Sequence, residues 1–178
     1  MIMRRALIPL FLWLAGCATR APERSGPLLT PPLPPASLGQ ELAQSELVTG
    51  EHDGRSFTMR VELEVNAERL VVVGLSPAGV PLFTLEQTAG GVSVEGGAKG
   101  RLPFDPAYIL SDLQLIHWPA DVLAPAMAAR GLRFEERDGL RQVSEQDGRP
   151  LVDIAYDGAI TLTHLDRPYR LRIETIGR

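Results

Sequence analysis

Three histidines, one cysteine and 22 carboxylates are the side chains of this 178-residue chain best suited to moving protons, binding metal or attacking carbon. The histidines are His52, His117 and His164, and no two are close in sequence. A locally built zinc site needs ligands at short fixed spacings, such as two histidines one helical turn apart or paired cysteines. Neither pattern occurs, so no metal site and no cofactor are expected. Gly74-Leu75-Ser76-Pro77-Ala78-Gly79 places a serine between glycines. It is not a nucleophile elbow, which needs Gly-x-Ser-x-Gly at a strand-to-helix turn. Proline early and glycine late spell a plain turn instead. Most carboxylates, Glu62 and Glu64 among them, alternate with apolar residues and belong to the wet faces of strands. A Ser-His-Asp site assembled from distant residues stays open, but no motif announces one, and no enzymatic activity is expected. His117 alone among the histidines lies in an apolar context. It reads as a satisfied residue at a helix C-terminus, where the helix dipole favours its cation.

The single cysteine, Cys17, forbids an internal disulfide. Arg4 and Arg5 precede an uncharged run, Ala6 to Ala15, and small residues follow. That is the order of a secretory signal peptide. The run is too short to cross ~30 Å of hydrocarbon, which takes roughly 20 helical residues. Leu14-Ala15-Gly16-Cys17 resembles the bacterial lipobox. The resemblance implies removal of residues 1–16, diacylation of the Cys17 sulfur and acylation of the new amino terminus. Two or more acyl chains hold a protein on a membrane stably, at ~0.8 kcal/mol per buried methylene. The other reading is an ordinary signal peptide with a chance cysteine. In Gram-negative lipoproteins an aspartate after the cysteine favours inner-membrane retention. Here the residue is Ala18, so the resemblance implies an outer-membrane lipoprotein facing the periplasm.

The chain carries 18 basic and 22 acidic residues, and without Arg4 and Arg5 the balance is 16 to 22, a charge of −6. Nucleic-acid binding needs a clustered basic face, and none is present. Membrane contact is expected through the lipid anchor rather than through headgroup electrostatics. Residues 17–37 hold the cysteine and a proline-rich stretch containing Pro22, Pro27, Pro31, Pro32, Pro34 and Pro35. Such a stretch favours polyproline II and reads as a tether. Residues 38–178 are enough for one domain with its own core.

The elements of that domain follow from periodicity. Phe57 to Val65 alternates strictly, apolar at odd positions and polar at even ones, which marks a strand with one wet face. Gln40 to Thr49 alternates more weakly, with Glu51-His52-Asp53-Gly54 read as the turn. Leu70 to Leu75 is apolar on both faces, as a strand covered on each side would be. Val80 to Gln87 and Val92 to Glu95 complete a first group. The period then changes to helical. Asp105-Pro106 offers a cap and a first-turn proline, and Ile109, Leu110 and Leu113 form a stripe. A second helical stripe runs through Val122, Leu123, Ala126 and Met127, with Pro125 expected to kink or shorten it. Asp138-Gly139, Asp147-Gly148 and Asp157-Gly158 then punctuate five further strands as hairpin turns. The expected fold is mainly β with a helical insertion (α+β). It is a curved antiparallel sheet or unclosed barrel of about ten strands, covered by one or two helices.

This layout resembles the LolA/LolB superfamily of periplasmic lipoprotein carriers and receptors. Four stretches, Pro35–Gly39, Gly74–Gly79, Leu113–Pro119 and Tyr169–Glu174, are also similar to a lipoprotein family of unassigned function associated with aryl-polyene gene clusters. The resemblance implies an unclosed barrel with a helical lid and a hydrophobic cavity for a lipid, acyl or aryl-polyene ligand. Val61, Leu63, Val72, Phe83, Leu110, Leu113 and Trp118 are the candidate lining. A monomer is expected in either case, and an envelope protein partner is the other expectation, for a scaffolding lipoprotein whose concave face its own side chains fill. A hollow interior or a filled one separates the two.

Overall fold

The computed structural model describes residues 29–52, 54–96, 106–167 and 169–177. The leader, Cys17, Ala18, the first part of the tether and Asp105 lie outside the described residues. Among the described residues, no helix is long and apolar enough to cross a membrane.

Ten strands form one antiparallel sheet. The first five are β1 (Leu42–His52), β2 (Arg55–Val65), β3 (Arg69–Leu75), β4 (Pro81–Thr88) and β5 (Gly91–Glu95). Two helices follow, α1 (Pro106–His117) and α2 (Ala120–Ala128). The last five strands are β6 (Leu132–Arg137), β7 (Leu140–Glu145), β8 (Pro150–Asp157), β9 (Ala159–His164) and β10 (Tyr169–Gly177). The sheet order is β5-β4-β3-β2-β1-β10-β9-β8-β7-β6. Each group of five is a meander, and the two join along β1 and β10. β5 and β6 do not pair, so the sheet stays open, and the helices connect these two free edges.

The turns are built as their residues dictate. Asp138 at φ 51° and Gly139 at φ 75° supply the two left-handed positions of the β6–β7 hairpin. At the β3–β4 turn, Gly79 N–H donates to the Ser76 carbonyl at 2.8 Å, and Ser76 Oγ accepts from Val80 N–H at 3.1 Å. The alternation of β2 sends Met59, Val61, Leu63 and Val65 into the core. On β10, Tyr169, Leu171 and Ile173 face the same way. Leu70, Val72, Leu85, Leu115, Trp118, Leu123 and Leu162 are fully buried. Burying each such side chain is worth about 1.5–3 kcal/mol relative to leaving it in water.

Three expectations need correction. β3 is not covered on both faces: Leu70 and Val72 are fully buried, whereas Val71 and Val73 on the other face are only half-buried. His52 belongs to β1, where it pairs with Tyr169 and Arg55, rather than to the turn. Part of the proline-rich stretch ahead of Leu38 packs on the folded body. Leu29, Thr30 and Leu33 are buried, and a single 3-10 turn, Pro35–Leu38, seals the end of this strap. Prolines deny the strap a strand's hydrogen bonds, yet the apolar residues between them still find a surface. α2 keeps Pro125 inside it and runs for only nine residues.

Candidate functional site

α1 is the organising element. Every side chain from Tyr108 to Ile116 is buried except half-buried Ile109. Its stripe of Ile109, Leu113 and Ile116 faces the inner side of β1, β2 and β10. Its opposite, polar face carries Ser111 and Gln114, both buried. The strap satisfies them. Thr30 N–H and Leu33 N–H donate to Ser111 Oγ and Gln114 Oε1, each at 3.2 Å. Gln114 Nε2 and Gln87 Nε2 both donate to the Leu33 carbonyl, at 3.0 and 2.7 Å. Trp118 Nε1–H donates to Ser37 Oγ at 2.8 Å.

The C-terminus of α1 is clamped by the second meander. Arg141 Nη1 donates to the carbonyls of Leu115 and Ile116 at 2.8 Å and of Trp118 at 3.0 Å. A cation there satisfies orphan carbonyls and opposes the negative end of the helix dipole. Tyr156 Oη donates to the Ile116 carbonyl at 2.7 Å. Burial, then the Glu136 charge, push its phenol up to about 12, against the nearby Arg141 guanidinium.

Two histidine–carboxylate pairs tie α1 to the sheet. Asp112 Oδ1 lies 3.0 Å from His164 Nε2 on β9, with both side chains at most 3 % exposed. His117 Nε2 lies 3.5 Å from Glu46 Oε1 on β1 but makes no hydrogen bond among the described residues, so it is not the satisfied residue expected. The sheet also lines up an aromatic row: Tyr169 pairs with His52 on one side and His164 on the other. The ring centroids lie 5.8 and 5.2 Å apart. Burial, reinforced by the Asp112 carboxylate, holds the Tyr169 phenol well above its ordinary range. His164 Nδ1 has no hydrogen-bond partner among the described residues and faces Asp166 at 3.8 Å. Among the described residues no hydroxyl or thiol hydrogen-bonds His164 Nδ1, the position a nucleophile occupies in a nucleophilic triad.

Between α1 and strands β1, β2 and β10 runs an apolar cleft. Val48, Phe57, Met59, Leu171 and Ile173 form its floor, with Glu46, Asp112 and Tyr169 as its polar groups. Its volume is about 30 Å³, room for a water or two and not for an acyl chain. A broader hollow of about 760 Å³ lies on the outside, between Pro32, Pro34 and Pro35 and the β4–β5 hairpin.

All seven candidate lining residues are buried in one core with α1. Only Val61 and Leu113 reach the cleft; Leu63, Val72, Phe83, Leu110 and Trp118 are spent on packing. Glu46, Asp112, His164 and Tyr169 were not anticipated as a group. The one available signal was the weak alternation of β1, whose inward positions include Gln44 and Glu46. Among the described residues no group of three or more His, Cys, Asp or Glu side chains is placed to hold a metal ion.

A comparison with curated proteins returned no match. Residues 43–177, from β1 through β10 and including both helices, match the family described as "Protein of unknown function (DUF3261)", and the chain belongs to that family.

Proposed function

We propose that this protein is an outer-membrane lipoprotein, anchored through Cys17 and facing the periplasm, that takes an apolar chain beneath α1 for binding or transfer. The observation carrying this reading is the cleft itself, whose floor and lid are apolar side chains. α1 is held there by side chains and by the strap rather than by strand pairing, so lifting it would break the Asp112–His164 and Arg141 ties but leave the strand ladders intact. The LolA/LolB-like layout and the open edges of the sheet support the same reading. At about 30 Å³ the cleft describes a closed state, and a chain enters only as α1 or Phe57 yields.

The energetics are adequate. Burying a twelve-carbon tail gives up to ~10 kcal/mol at ~0.8 per methylene. Association and ordering costs take back several of these, leaving a net of about 6–8, on the order of micromolar. The test is a titration of residues 18–178, which include every described residue, with the fluorescent apolar rod diphenylhexatriene. Micromolar binding is expected, and Leu113→Asp should weaken it while a circular dichroism melt reports on the fold. The small volume favours a second reading, a scaffolding lipoprotein with a filled core. Absence of any probe binding by the folded domain would put that reading in place of the first.

A further inference from the structure

Glu46 is a carboxylate on the inner face of its strand. It is 1 % exposed, beneath α1. Its Oε1 accepts from Gln44 Nε2 at 2.5 Å and lies 3.5 Å from His117 Nε2. Its Oε2 is buried and finds no hydrogen-bond partner among the described residues. A buried acceptor without a donor is costly, and a charged one more so. The strand is also irregular there: the β1–β10 register shifts between Ser45 and Glu46. Bulges of this kind re-aim a side chain and concentrate at functional sites.

The other carboxylate in the cleft is matched differently. Asp112 has His164 3.0 Å from its Oδ1 and Tyr169 beside it, while its Oδ2, like Oε2 of Glu46, is buried without a hydrogen-bond partner among the described residues. No lysine or arginine lines the cleft. An acidic or phosphate head would therefore face two buried carboxylates and no lysine or arginine, with only His117 beside Glu46, while a donor would complete Glu46.

We propose that Glu46 is the polar anchor of the cleft, selecting an apolar chain whose head is a hydrogen-bond donor, hydroxyl or ammonium, bonded to Oε2. This rests on the reading that the cleft takes an apolar chain. It adds that the chain is not a free fatty acid or a phospholipid held by its phosphate.

The experiment is displacement of diphenylhexatriene from residues 18–178 by three ligands of equal tail length, each below its micelle concentration: 1-dodecanol, dodecylamine and dodecanoate. Dodecanol and dodecylamine should each displace the probe at about one tenth the concentration that dodecanoate requires, the effect of one hydrogen bond to a buried charged group. Preference for the amine alone assigns the head as ammonium. Glu46→Leu should bring the three ligands together, and Glu46→Gln, which keeps the volume and offers a donor, should move dodecanoate toward the others. Equal potency on the native domain, or an unchanged ranking in both folded variants, overturns the assignment and leaves chain binding standing. Failure of the probe to bind native protein overturns the carrier reading and this assignment with it.

Discussion

Asp112 on α1 and His164 on β9 meet at 3.0 Å in the interior, a fully buried tie between the helix and the second meander. A carboxylate so far from water is tolerated because the imidazole N–H donates to it. Removing one partner strands the other. Asp112→Ala should cost about 3–5 kcal/mol, and Asp112→Asn, which keeps an acceptor, clearly less. Urea unfolding followed by tryptophan fluorescence would measure both. A loss under about 1 kcal/mol for the alanine variant would mean the pair does not anchor the helix.

The strap gives the second prediction. Gln114 bonds Leu33 N–H, the Leu33 carbonyl and Gln87 at once. Gln114→Leu keeps the size but abandons these groups, at a cost of about 1–3 kcal/mol. Residues 29–38 should then be cut faster by a protease such as thermolysin than in the native protein, with the strands still resistant. Equal cutting rates would separate the strap from this glutamine.

Glycine placement makes a third. A β-carbon at Gly50 would lie 2.1 Å from Cζ of Phe57, whose ring covers it from the neighbouring strand. Gly50→Ala must swing that ring away, at about 1–3 kcal/mol. Gly54, at φ +71° with nothing near its β-carbon, is the control, since an alanine there suffers backbone strain alone. Thermal melts of the two variants compare the effects. Because Phe57 also lines the cleft, Gly50→Ala should alter probe binding as well, and Gly54→Ala should not.

Alkaline pH should loosen the fold. Tyr156 is raised to about 12 and Tyr169 is raised well above its ordinary value, both chiefly by burial. In the unfolded chain both phenols ionise near pH ~10. Between there and about pH 12 the unfolded state binds fewer protons than the folded one, so stability falls as pH rises. Below about pH 9 these two groups contribute no slope. Urea midpoints measured from pH 8 to 11.5 should be flat and then drop, and Tyr169→Phe should remove much of the drop. An equally steep drop in that variant would assign it elsewhere.

The anchor makes the last prediction. Cys17→Ser should leave the chain without diacylglycerol and the leader uncleaved at that point, and Ala18→Asp should move the native protein toward the inner membrane. Mass spectrometry of the amino terminus and membrane fractionation read these out. An unmodified terminus generated elsewhere in the native protein would end the lipoprotein reading.

Periodicity made the strands legible because each wet face meets water directly. Met59, Val61 and Leu63 alternate with Arg60, Glu62 and Glu64, and the asparagine and Asp-Gly turns mark where the chain reverses. The site was hidden for the opposite reason. Ser111, Asp112 and Gln114 read as the solvent face of an amphipathic helix, but their covers, Thr30, Leu33 and His164, come from segments more than 50 residues away. Glu46 breaks the alternation of β1 in a way that sequence alone assigns to a ragged strand. Polar residues inside a core are satisfied by tertiary partners, and no local pattern names those partners.

The seam between β1 and β10 has a consequence for how the chain finds this fold. Every other strand pairs with its neighbour in sequence, so either meander can form by short, quick loop closures. β1 and β10 are separated by roughly 120 residues, and closing that loop carries the largest entropic cost in the molecule. Zipping the two halves along this one ladder is thus the natural slow step of folding. Until it happens, both β1 and β10 are open edges, able to pair with another copy of the chain.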